Sequence, residues 1–138
     1  GGGGGGNTSD FTGDYSGEVE ISVIAADGGA RPFCWGESLW LVDESGELAG
    51  RSDCEIGGGP LEGESLYLTF YGEMSADGEV WGAVEASRSW ADDQSTFEWS
   101  AFAWDEGQTV WLESVISGTM RGRDGEIEVL GSGWAQQD

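Results

Sequence analysis

Residues 64–88 read ESLYLTFYGEMSADGEVWGAVEASR, and this stretch decides the fold. Leu66, Leu68 and Phe70 alternate with Tyr67, Thr69 and Tyr71, a period of two that describes a strand and not a helix. Ala76-Asp77-Gly78 then supplies a turn, with Gly giving the positive φ that tight connections need. A three-residue loop there sets Met74 opposite Val80, Phe70 opposite Val84 and Leu68 opposite Ala86. Apolar meets apolar along one face of the hairpin, so the register is self-consistent.

Outward from this hairpin the same period recurs. At 14–25, Val19, Ile21 and Val23 share one side, with Glu18, Glu20 and Ser22 on the other. Comparable segments lie at 37–43, 47–55, 96–104, 109–121 and 126–135, and no stretch has helical spacing. Glu44-Ser45-Gly46, Glu106-Gly107 and Asp124-Gly125 read as further hairpin turns. The fold class is therefore all-β, an antiparallel eight-stranded meander. Eight strands can close into a barrel with a filled interior, and a two-layer sandwich uses the same pattern.

A two-residue loop at Glu106-Gly107 pairs Ala103 with Val110 and Ala101 with Leu112, which turns Phe97 and Trp99 inward. The same parity sends Trp81, Phe102, Trp104 and Trp111 outward, joined by Tyr67 and Tyr71. With a short connection at 88–95, Trp81, Phe102 and Trp111 align across three adjacent strands. Such a row would exceed the few hundred Å² of contiguous apolar surface usual on a soluble monomer. Three explanations follow: burial of this face under the N-terminal tail or a loop at 26–36 with Phe33 and Trp35; a protein contact; or a platform on which sugar rings stack beside carboxylates.

Composition narrows the chemistry. The 138 residues carry 27 acidic and 5 basic side chains with no His, a net charge of −22. That charge excludes nucleic acid as a partner and excludes a basic membrane-surface helix. No apolar run approaches the roughly 18 residues of a transmembrane segment. Eight Trp, three Tyr and five Phe, placed within the alternating segments, argue for a packed domain over a disordered acidic chain. The chain has neither Lys nor His. A His-based nucleophile, a Schiff-base lysine, a phosphate-loop lysine and a His-built zinc site are all excluded, and two cysteines do not complete a thiolate site. No catalytic residue is assigned, and the domain is expected not to be an enzyme. Among 27 carboxylates, pairs at glycosidase-like spacing arise by chance. No cofactor is expected; calcium is the one cation the acidic surface would attract, with Asp92 and Asp93 in a loop as its candidate ligands.

Counting back from the turn at 44–46 brings Cys54 close to Cys34, and the expected disulfide closes a loop of about 20 residues. Disulfides persist in oxidising compartments, and the chain starts at Gly1 without an initiator Met, so a processed, exported product is expected. Residues 1–10, GGGGGGNTSD, contain nothing that packs and read as a flexible tether ahead of a single β domain at 11–138. This segment resembles the Gly-rich tether that follows the acylated cysteine of bacterial surface lipoproteins, and the resemblance implies a lipid-anchored surface protein. Asn7-Thr8-Ser9 fits the N-glycosylation pattern.

The expectation that results is a secreted or cell-surface domain without catalytic activity, acting through protein contacts as a self-assembling subunit of an extracellular fibre or layer. The alternative is a tethered module that binds glycan or another small ligand on its aromatic face or in a barrel mouth.

Overall fold

The computed structural model describes residues 11–122 and 125–138. Eight strands follow one another: β1 (Gly13–Ile24), β2 (Ala30–Val42), β3 (Glu47–Ile56), β4 (Ser65–Met74), β5 (Glu79–Arg88), β6 (Gln94–Glu106), β7 (Thr109–Gly122) and β8 (Gly125–Gln137). Each pairs antiparallel with the next, and β1 pairs with β8 from Tyr15↔Gln137 to Val23↔Val129. The sheet is therefore a closed barrel. Closure removes both sheet edges, which a sandwich would leave open.

The register of the 64–88 hairpin is as expected: Met74↔Val80, Phe70↔Val84 and Leu68↔Ala86. The β6–β7 hairpin differs by two residues. Ala103 faces Leu112 and Ala101 faces Ser114, because Asp105 and Glu106 continue the ladder as far as Glu106↔Thr109. The turn there falls at Gly107, whose φ is +69°. A shift of two preserves the face, so Phe97 and Trp99 still point inward and are buried. The stretch 26–36 is mostly strand, since β2 begins at Ala30 and pairs with Ile24 at the end of β1. The tether 1–10 with Asn7, and Asp124 of the expected turn, lie outside the described residues.

Side chains inside the barrel alternate between very large and absent. The rings of Trp40, Phe70 and Trp99 pack at 4.5–5.6 Å between centroids. They fit because glycines face them. A Cβ on Gly50 would lie 2.2 Å from the Trp40 ring, and one on Gly72 would lie 2.6 Å from Trp99. Trp40 Nε1 donates to Ser38 Oγ at 2.9 Å, whereas Trp99 Nε1 is buried without a partner among the described residues. Cys34 and Cys54 are both buried on the interior face of β2 and β3 and form the expected disulfide, with Cα atoms 5.1 Å apart.

Both ends are filled. At one, Tyr15 is fully buried and its hydroxyl donates to the Phe11 carbonyl at 2.6 Å, while Gln137 Nε2 donates to the Thr12 carbonyl at 3.0 Å. Burial pushes the Tyr15 phenol up to about 12, an effect partly offset by a hydrogen bond with Gln137. At the other end Phe33 meets Trp90 edge-on at 6.3 Å, and the Arg88 guanidinium lies 5.7 Å from the Trp90 ring centre. Leu61 packs against the core beside them.

Charge sits on the outside. Exposed carboxylates such as Glu20, Glu55, Glu79, Glu98 and Glu128 occupy outward strand positions. A membrane-spanning barrel has the opposite arrangement, with an apolar outer band. No helix among the described residues is long and apolar enough to cross a membrane.

Candidate contact surface on the outer wall

In an antiparallel strand buried on one face, outward positions are normally polar. Here many are not. Among the described residues ten large apolar side chains stand exposed, with Trp81 the most accessible at 62%. Nine of them form two groups, and Leu130 stands apart on β8.

The first group lies on β2 to β5. Register places Leu41, Ala49, Tyr71 and Ala83 along one rung, and Trp81 sits one outward position from Ala83 on β5. Leu39, Arg51 and Thr69 form the neighbouring rung. Leu41, Ala49, Tyr71 and Trp81 line a shallow concavity of about 520 Å³, with Asp43, Glu47 and Glu73 also in its wall. Tyr67, also exposed, is on the same wall, opposite Asp53 and Ser87.

The second group lies on β6, β7, β8 and β1. Trp104 pairs directly with Trp111. Phe102 stacks on Trp104 at 6.0 Å, and Trp111 meets Trp134 at 6.0 Å. Next to this cluster runs a groove, also of about 520 Å³. One of its rungs is Phe102, Glu113, Trp134 and Glu18; the next is Ser100, Val115, Ser132, Glu20 and Trp35. Aromatic walls, small hydroxylated residues and three carboxylates thus line one depression that contains no basic side chain among the described residues.

The six aromatic residues expected on the outside all occupy outward positions, Trp104 and Trp111 half-buried there, but they fall on two walls and not in one row. Trp81 faces Ser100, Phe102 faces Glu113 and Trp111 faces Trp104. The two-residue difference in the β6–β7 register is what separates Phe102 from Trp111. Strands four places apart in a ring of eight lie across the barrel from each other, so the centres of the two groups, on β3–β4 and β7–β8, are opposite, while their edges meet where Trp81 on β5 faces Ser100 beside Phe102 and where Trp35 shares β2 with Leu39. Burial under a 26–36 loop does not occur: Trp35 is outward on β2 and half exposed. Trp35, Val115 and Trp134 join the second group, and Leu39 and Leu41 the first. Parity marks Trp134 as outward, since its neighbours Gly133 and Ala135 face inward.

Of the two acidic loop candidates, Asp93 has a cationic partner. Arg88 Nε donates to Asp93 Oδ1 at 2.7 Å and a second guanidinium nitrogen reaches Oδ2, a two-point ion pair. The Arg88 hydrogen bond holds the Asp93 carboxyl below its ordinary range. Asp93 is thus paired with Arg88. Among the described residues no three His, Cys, Asp or Glu side chains are grouped to hold a metal. Arg31 lies 3.7 Å from Asp27. Arg51, exposed on the first wall, has neither a side-chain hydrogen bond nor an ion pair among the described residues.

No family model matches the chain, and no curated protein matches it. A solved structure does. The chain is similar to the crystal structure of rhizavidin, with a TM-score of 0.51 over 89% of this chain and 82% of that chain. Sequence identity is 15%, so the likeness is one of fold: a closed, eight-stranded, avidin-like barrel.

Proposed function

We propose that this is a non-catalytic, secreted or cell-surface domain that works through protein contacts on its outer wall, as a subunit that associates with further copies of itself. The observation that carries this reading is the pair of unlike apolar patches centred on opposite sides of the barrel, one on β3–β4 and one on β7–β8. A contact between two different patches is heterologous, and when its rotation does not close it generates an open filament. Trp and Tyr are the residues that most often anchor such contacts. The disulfide suits an oxidising compartment, and the Gly-rich start of the chain suits a tether, with a lipid anchor as the form its lipoprotein resemblance implies. Both patches are bordered by carboxylates on a chain of net charge −22, so association must strengthen as salt or millimolar divalent cations screen the repulsion. Light scattering with electron microscopy on the full chain, across salt and with and without calcium, tests it. Filaments, sheets or large oligomers are expected at high ionic strength; a monomer under every condition would refute the reading.

The groove on β6 to β1 supports a second reading, in which Trp35, Phe102 and Trp134 stack on a sugar while Glu18, Glu20 and Glu113 accept from its hydroxyls. The filled interior and plugged ends favour this outer groove over a barrel mouth as a ligand site. A glycan array probed with wild type and Trp134→Ala separates the two readings, since a bound sugar would give signal that the variant loses while the protein stays monomeric.

A further inference from the structure

Both patches are bordered by carboxylates, and they differ in one respect: the first wall carries an exposed cation and the groove of the second carries none among the described residues. The first wall carries Arg51, exposed between Leu39 and Thr69, with no side-chain hydrogen bond or ion pair among the described residues to hold it. The groove on the second wall presents Glu18, Glu20 and Glu113 beside the faces of Trp35, Phe102 and Trp134, with no cation of its own among the described residues. A guanidinium is the group such a groove accepts best, because it stacks on an aromatic ring while donating to carboxylates in its plane. Resting on the self-association proposed above, we infer that Arg51 of one copy docks into this groove of the next copy, with Leu39, Leu41 and Tyr71 closing over the apolar rim.

The inference sets the direction of the contact. The β2–β5 wall is the inserting side and the β6–β1 groove is the receiving side, so each copy uses both and the chain of contacts is head-to-tail. It also gives Arg51 a role that Lys fills poorly, since an ammonium neither forks across two carboxylates nor stacks flat on indole.

A charge-swap pair tests it by sedimentation velocity at the ionic strength where the wild-type full chain associates. Arg51→Glu alone, and Glu18→Arg with Glu113→Arg alone, are each expected to weaken association about tenfold or more. Mixed in equal amounts they are expected to co-associate. The carboxylate introduced on the wall of one variant then faces the two guanidinium groups introduced in the groove of the other, while the native pairing of Arg51 with Glu18 and Glu113 survives at the alternate contact. Arg51 and Glu113 are exposed and Glu18 is half-buried at an outward position, and an unchanged thermal midpoint shows that each variant folds. Arg51→Glu associating like wild type would overturn the docking of Arg51 and leave self-association standing. Two monomeric variants that fail to rescue each other would also overturn it. A wild-type chain that never associates would overturn the underlying reading together with this one.

Discussion

The inside and the outside of this barrel use the same aromatic residues in opposite ways. Inside, Trp40, Phe70 and Trp99 lie in ring contact, and glycines at positions 50 and 72 give the space that any Cβ would take. Outside, Trp81, Phe102 and Trp134 stand about half or more exposed on a surface that is otherwise strongly acidic. Interior rings are explained by stability alone. Exterior rings are not, because an exposed indole leaves apolar area in water and gains nothing until something covers it. The difference assigns fold to one set and function to the other, and substitutions should separate them.

The largest effect is expected inside. Trp40→Ala removes the ring that bridges Phe70 and Trp99 and opens a void facing Gly50, at a cost of about 3–5 kcal/mol, measurable as a lowered urea midpoint. Next comes the covalent tie between β2 and β3. Replacing both Cys34 and Cys54 by Ser releases a loop of sequence separation 20 and should cost about 3 kcal/mol by thermal unfolding, without changing the mode of association.

A pH effect of the interior follows from Tyr15. Its phenol is raised from 10.0 to about 12 in the folded state, so below pH 10 folded and unfolded chains are both protonated and stability is unaffected by this group. Between pH 10 and about 12 the unfolded chain ionises and the native one does not, so stability falls as pH rises. Tyr15→Phe should flatten that decline in alkaline denaturation curves. A decline unchanged by the substitution would show that other groups cause it.

The smallest effect on stability is expected outside. Trp81→Ala and Trp134→Ala should each leave the unfolding free energy within about 0.5 kcal/mol of wild type while reducing association. A loss of several kcal/mol from either would place that ring in the stabilising set and break the division.

How much of this is legible from the residues depends on the range of the interaction involved. Strand positions are, because a period of two and the Gly-bearing turns are local. The β4–β5 register is too, since Ala76-Asp77-Gly78 sets it directly. At Glu106-Gly107 local chemistry misleads: an acidic residue before Gly looks like turn material, yet Glu106 continues the ladder to Thr109. The start of β2 is hidden by Pro32 and by the bulge opposite Ile21 and Ser22, which interrupt the alternation that would have marked Trp35 as outward. Barrel closure through Tyr15↔Gln137 joins residues at opposite ends of the chain, and no local pattern reports it. Without closure the outward aromatics read as one sheet face. With it they divide between two walls, which is what makes a head-to-tail contact geometrically natural.

The central claim is that these walls are two different halves of one contact, and a mixing experiment tests it most directly. The full chain with Tyr71→Ser and Trp81→Ser retains only the β6–β1 groove, and the full chain with Trp111→Ser and Trp134→Ser retains only the β2–β5 wall. The account predicts that by sedimentation velocity each variant alone is monomeric, and that an equal mixture forms a dimer and nothing larger. Filaments formed by either variant alone, or two monomers that ignore each other where the wild type associates, would contradict it.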